Sequence, residues 1–261
     1  MWQIQNIIIM LSFNMLLIYA GDSAELSAPN NVSTFVDIPT CNDKDANIND
    51  CLLKVFAEMI PRSKDGIPEI NVPPMDPFVI NKTSYIFSHP IVQGKVSVRN
   101  LKLHGLSKVI TKSLDYKREG DQVTLKVKSH IPEMFVEGMY RAKIKVNAAN
   151  ISSKGPFNVT MTNIDVDFHT TSELYDRDGH RYMRVKTFNF DPTLGNMKFY
   201  AEGLLPEPLL NDAIIEFLNQ NWRTIYKSLI PETRAAWEPE FVKLANEYFS
   251  HLIVDAVLKE D

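Results

Sequence analysis

Cysteine is scarce: the 261 residues hold two, Cys41 and Cys51, and their nine-residue spacing fits no zinc or redox motif. In an oxidising compartment the pair reads as one disulfide closing a ten-residue loop at the entry to the first helix. On the chain-entropy model it stabilises by about 2.5 to 3 kcal/mol. Charge of one sign is also missing in bulk. A net charge of −4 with no basic block makes nucleic acid and anionic membrane surfaces poor partners. The apolar run from Ile7 to Ile18 has the length of a signal-peptide core and is too short to cross a bilayer. Residues 1–20 carry no charged side chain and read as a secretory signal ending near Ala20. The segment 21–40 reads as a flexible N-terminal stretch and 41–261 as a single domain.

Catalytic signatures are absent too. The chain has no G-x-S-x-G elbow, no H-E-x-x-H, no P-loop and no G-x-G-x-x-G. Asp165, Asp167 and His169 share one strand face, but it lies opposite Ile164, Val166 and Phe168 and is therefore the solvated side, so no metal site is assigned. His104 follows Leu103 and faces away from it, as a surface or packing residue rather than an acid or base. The reading is of a protein without catalysis, metal or cofactor.

What the chain does have is strand pattern from about Tyr85 to Leu205. Val123, Leu125 and Val127 alternate with Thr124, Lys126 and Lys128, and Tyr140, Ala142, Ile144 and Val146 alternate with Arg141, Lys143 and Lys145. The outer lysines fit an ordinary solvated sheet face. Turn signals at 118–121 (REGD) and 176–179 (DRDG) make this an antiparallel meander. Two stretches break the alternation by one position at an asparagine. Val96 and Val98 give way to Leu101 and Leu103 at Asn100, and Phe157, Val159 and Met161 to Ile164, Val166 and Phe168 at Asn163. A strand cannot keep one face buried across such a slip unless a residue bulges out and bends it, so the sheet must curve around something. Four sequons, Asn31, Asn81, Asn150 and Asn158, read as glycosylation sites of a secreted protein.

Helices flank this sheet. Asn49 or Asp50 can cap a short helix that ends at Pro61, and the prolines and glycine of residues 66–77 then force an extended crossing. Residues 208–230 read as one helix with a narrow polar stripe of Asp212, Glu216, Asn219, Gln220, Arg223 and Lys227. Leu210, Ile214, Ile215, Phe217, Leu218, Trp222, Ile225, Tyr226 and Leu229 cover most of the rest, more than a helix on a flat sheet needs. A separate final helix is expected after Pro239, carrying Phe241, Val242, Leu244, Ala245, Tyr248, Phe249 and Leu252.

The cysteine pair with its helix, GIPEINVPPMDPF (66–78), GKVSVRNLKLHGLSKV (94–109), FDPTLGNMKFYAEGLLP (190–206) and FLNQNWRTIYKSLIP (217–231) together resemble the takeout and juvenile-hormone-binding protein family of insects, within the wider TULIP lipid-binding group. The resemblance implies an α+β fold in which a highly curved antiparallel sheet wraps a long C-terminal helix and leaves an elongated apolar tunnel. Moth juvenile-hormone binders carry a second late disulfide; its absence here places the resemblance nearer the takeout branch. The implied function is a secreted extracellular carrier of a small hydrophobic ligand, a terpenoid or an acyl lipid, with no stable membrane insertion. The expected tunnel residues are Val98, Leu125, Tyr140, Met161, Val166 and Phe199 on strands with Phe217, Leu218, Trp222 and Ile225 on the helix. The rival is an interaction protein of the same fold with a filled core, acting on a protein partner through its surface.

Overall fold

The computed structural model describes residues 39–68, 73–88, 92–146, 149–250 and 252–259. The signal reading for residues 1–20, all but the last two residues of the 21–40 segment, and Asn31 lie outside them. The chain runs β1 (Cys41–Asn42), α1 (Ile48–Arg62), β2 (Phe78–Ser88), β3 (Val92–His104), β4 (Ile110–Glu119), β5 (Gln122–Val146), β6 (Ala149–Arg177), β7 (His180–Ala201), α2 (Pro208–Phe249) and β8 (Leu258–Lys259), with single 3-10 turns at Leu106–Lys108 and Val254–Ala256. Six antiparallel strands form one sheet in the order β2-β3-β5-β6-β7, with β4 pairing β5 beyond the end of β3. Both turn signals are realised. Gly120 adopts φ 61°, and Asp178 and Gly179 adopt φ 53° and 77°, the paired positive values of a type I′ hairpin.

The two slips are real, and each asparagine sits at φ 51°, a left-handed conformation that Asn tolerates better than other side chains. Val96, Val98 and Leu101 are all buried, as are Val159, Ile164 and Val166. At the first slip β2 shifts face in step with β3, since Ile80 and Thr83 are both buried, while β5 runs on unbroken. The β3–β5 register therefore jumps between Arg99 and Lys102, and two β3 residues face Gly138 alone. At the second slip no register is lost. Pro132, Asn163 and Gly195 lie abreast on β5, β6 and β7, and all three strands change face together. A Cβ on Gly195 would stand 2.7 Å from Asn163 Cβ, so the three strands can close up there only around a glycine. The sheet is folded along this row rather than bulged.

The C-terminal helices of the sequence reading are one. α2 spans 42 residues through Pro231 and Pro239, a rod of about 63 Å, and the side chains of Leu229, Leu244 and Tyr248 lie outside the described ones. The reason for its length is β7, the last strand of the sheet, whose outer edge has no strand partner among the described residues. The side-chain amide of Asn219 accepts from Phe199 N (2.7 Å) and donates to Phe199 O (2.9 Å). Asn246 does the same at Val185 (2.7 and 2.9 Å). Between and beyond them Asn211 donates to Ala201 O, Arg223 to Gly195 O and Tyr226 to Pro192 O. From Asn211 to Asn246 the helix rises about 52 Å, and from Ala201 to Val185 the strand spans about 53 Å. A rod broken at Pro231 could not keep that match. The polar stripe is thus not wholly solvated, because Asn219 and Arg223 serve the strand edge. Leu218, Trp222 and Ile225 face the core, whereas Leu210 is exposed.

The first helix begins one residue before the expected caps, at Ile48. The Asn49 side chain instead accepts from Tyr116 N (2.9 Å), which ties α1 to β4. The Cys41–Cys51 disulfide is formed, with Cα atoms 5.8 Å apart. Its loop holds the C-terminal strand: Cys41 N donates to Val257 O (2.7 Å) and Asp43 N to Lys259 O (2.8 Å). Asp43 itself accepts from Arg118 (2.7 Å) and from Tyr116 OH (2.8 Å). Among the described residues no helix is long and apolar enough to cross a membrane.

Candidate ligand-binding interior

The inner face of the sheet carries a series of apolar clusters, closed by α2 at one end and by α1 with the disulfide at the other. The largest contains Val98, Tyr140, Phe199, Leu218, Trp222 and Ile225, with Met161 and Phe217 half-buried against it. The second centres on Ile131, Ile164 and Val166. Met134, Met161 and Leu194 belong to the rims of both. The third joins Leu52, Val55, Leu114 and Val127 to the disulfide, and Leu125 lies here, at the far end from Val98. Phe168 bridges the second and third. From Tyr140 to Leu125 along β5 this apolar lining extends about 50 Å.

The expected residues divide by burial. Val98, Tyr140, Val166, Phe199, Leu218, Trp222 and Ile225 expose 4% or less, as packed core does, while Leu125, Met161 and Phe217 keep part of their surface accessible. Other inward side chains share that partial exposure: Met134, Leu194, and a group of four phenylalanines, of which only Phe168 and Phe241 stand out in the sequence pattern. The Phe168, Phe188, Phe190 and Phe241 rings lie 5.2 to 5.6 Å apart, joining β6 and β7 to the second half of α2. Phe241 was legible as a core position; its three strand partners fall at alternate positions that the pattern does contain.

Ser129, Ser153 and Ser172 are among the polar side chains buried on this inner face, and two further polar groups, Tyr140 and Thr83, bear on ligand binding. Tyr140 donates its hydroxyl proton to Glu202 O (2.8 Å), and burial pushes its pKa up to about 12, so it stays neutral and has only lone pairs to offer. Thr83, across β3 from Tyr140 in the row Thr83–Val98–Tyr140, is 4% exposed, and its hydroxyl has no hydrogen-bond partner among the described residues. An unpartnered buried hydroxyl costs about 1 to 3 kcal/mol, so it marks a place where a bound group would be stabilised.

The outer residues behave otherwise. Asp165 accepts from Lys112 (2.7 Å) and lies 3.0 Å from His130 Nδ1, Asp167 and His169 are exposed, and no group of three metal-ligating side chains occurs among the described residues. His104 is half-exposed, 3.3 Å from Glu137 and tilted against the Phe135 ring. Asn81 and Asn150 are exposed and Asn158 half-buried.

This geometry has known counterparts. The structure matches Takeout 1 of Epiphyas postvittana with a TM-score of 0.65 at 20% identity, over 85% of this chain and all of that one. In sequence the chain is 23% identical over 219 residues to the circadian clock-controlled protein daywake of Drosophila melanogaster and to that of Drosophila yakuba, covering 81% of this chain and 84% of each relative. The family model of the haemolymph juvenile hormone binding proteins matches residues 16–259, nearly the whole sequence, and the chain therefore belongs to that family.

Proposed function

We propose that the protein is a secreted carrier that sequesters a small hydrophobic ligand, a terpenoid or an acyl lipid, by burial and without catalysis. The observation that carries this reading is the continuous apolar lining, about 50 Å long, with inward methionines and phenylalanines left half-buried at the joints between packed clusters. Met134, Met161, Leu194, Phe168 and Phe190 are the side chains we assign to ligand contact. Ten methylene groups buried there would contribute roughly 8 kcal/mol before the costs of association. Thr83 supplies the polar contact, donating to a carbonyl, epoxide or carboxylate at the ligand's end. Secretion is supported by the uncharged apolar N-terminus, the sequons and the disulfide.

The tight burial of Trp222 and its neighbours favours the rival reading of a filled core acting through its surface. Mass spectrometry of an organic extract of the purified protein separates the two, since only the carrier yields a stoichiometric lipid. Thr83→Val sharpens the test. The carrier reading expects about tenfold weaker binding of a polar-headed ligand with stability unchanged or raised. Because this change also ends the sequon at Asn81, Asn81→Gln is its control and should bind normally.

A further inference from the structure

The outer face of the sheet differs from one end to the other. Near the β5–β6 hairpin, β2, β3, β5 and β6 present Lys82, Lys95, Arg99, Arg141, Lys143, Lys145 and Lys154 outward in four consecutive rows. Three cross-strand pairs are like-charged: Lys95 with Lys143, Arg141 with Lys154, and Lys82 with Arg99. Directly opposed like charges destabilise a sheet. The strand stretches that carry them hold no acid, since no Asp or Glu occurs from Pro77 to Leu114 or from Gly138 to Ile164. None of the seven has an ion-pair partner among the described residues. At the other end of the sheet, on β4 to β7, the charges are paired, Lys112 with Asp165, Lys128 with Asp167 and Lys186 with Glu173. With rows about 7 Å apart and strands about 4.8 Å apart, the seven cations occupy a patch of about 20 by 15 Å.

Apolar knobs stand among them. Ile86, beside Lys95, is 72% exposed, and Met139, between Arg99 and Pro156, is 47% exposed. A shallow pocket of about 420 Å³ opens between Lys143 and Lys145 on β5 and Asn150 and Ser152 on β6. Unpaired cations interleaved with exposed aliphatic side chains match a layer that is anionic at its surface and hydrocarbon just beneath, and match a fully hydrophilic polyanion less well.

We propose that this face docks the protein on anionic lipid surfaces. The chain-wide charge of −4 hides it, because the cations are dispersed over four strands and the acids lie elsewhere. Docking is peripheral and does not depend on an internal ligand, so its failure would leave the carrier reading untouched. Asn150 lies beside Lys145 and Asn81 beside Lys82, so a glycan on either would compete with docking.

Flotation with vesicles tests the proposal, using the full secreted protein both untreated and treated with N-glycosidase. At least one form should bind phosphatidylcholine vesicles containing phosphatidylserine, not bind phosphatidylcholine alone, and be released as salt rises toward about 0.5 M. Each cation near such a surface strengthens partitioning about fivefold, so Lys95→Glu with Lys143→Glu should weaken it by about 25-fold or more. Lys117→Glu with Lys126→Glu makes the same charge change at the opposite end of the sheet and should leave binding intact. The proposal is overturned if neither form binds, if both double variants lose binding equally, or if the protein binds heparin and ignores the vesicles.

Discussion

The bends at Asn100 and Asn163 look alike in sequence and share one backbone angle, each an asparagine at φ 51°, yet they are different devices. At Asn100 two strands turn while their neighbour runs straight, and the mismatch is absorbed by a register jump opposite Gly138. At Asn163 three strands turn together without loss of register, through a row of Pro132, Asn163 and Gly195. Gly105, at φ 101°, abuts that fold from outside the row, because any Cβ there would fall on the carbonyl oxygen of Glu133. A bulge has slack, since an added atom can move one strand. A shared fold has none, since moving one strand moves three.

The comparison breaks most sharply at the glycines. Gly195→Val should destabilise by about 3 kcal/mol or more, because its Cβ meets Asn163 Cβ at 2.7 Å and Thr162 O at 3.1 Å. Gly138→Ala, with contacts of 3.0 to 3.4 Å to Phe157, Arg99 and Leu101, should cost no more than about 1 kcal/mol. Thermal or urea unfolding measures both, and equal losses would erase the distinction between bulge and fold. Next come the asparagines. Placing Ala at φ 51° costs about 1 kcal/mol at either site, so any excess for Asn163→Ala over Asn100→Ala measures the coupling of the three strands.

The smallest effect concerns Asp76, which holds Gly105 against the fold. Burial alone would raise its pKa, but bonds from Ser107 Oγ (2.6 Å), Gly105 N (3.0 Å) and Ser107 N (3.2 Å) outweigh it and hold the carboxyl below its ordinary value. A carboxyl so depressed contributes stability above the ordinary carboxylate range and loses it as pH falls through the depressed value. Asp76→Asn should therefore be less stable than the parent at neutral pH, with the gap closing in acid. Melting curves across pH check the sign, and a gap that widens in acid would contradict it.

Much of this was legible in the alternation of residues. The slips, the two hairpin turns, the disulfide and the inward sides of β3, β5 and β6 all follow from local pattern. Whether a slip is shared does not, because it depends on which residues lie abreast once strands pair. A trace exists, since Ile131-Pro132-Glu133-Met134 and Leu194-Gly195-Asn196-Met197 each break phase like Asn163. The prolines at 231 and 239 read as helix ends because an interior proline costs about 3 kcal/mol, a cost here offset by contacts with a strand distant in sequence. Alternation places Leu125 inward but carries no information on position along the interior, where Leu125 and Val98 occupy opposite ends. Thr83 carries no separate signal in the sequence, because its place in the Asn81 sequon already accounts for a threonine there.

The amide bonds from α2 to β7 bear on the order of events as the chain leaves the ribosome. β7 is complete when Ala201 emerges, but Asn211, Asn219 and Asn246 follow 10, 18 and 45 residues later. Until then a long strand edge stands open, its donors and acceptors available to any other extended segment. The last helix is thus a guard against aggregation as well as a wall of the interior. A chain ending before Pro208 should pair with its own copies.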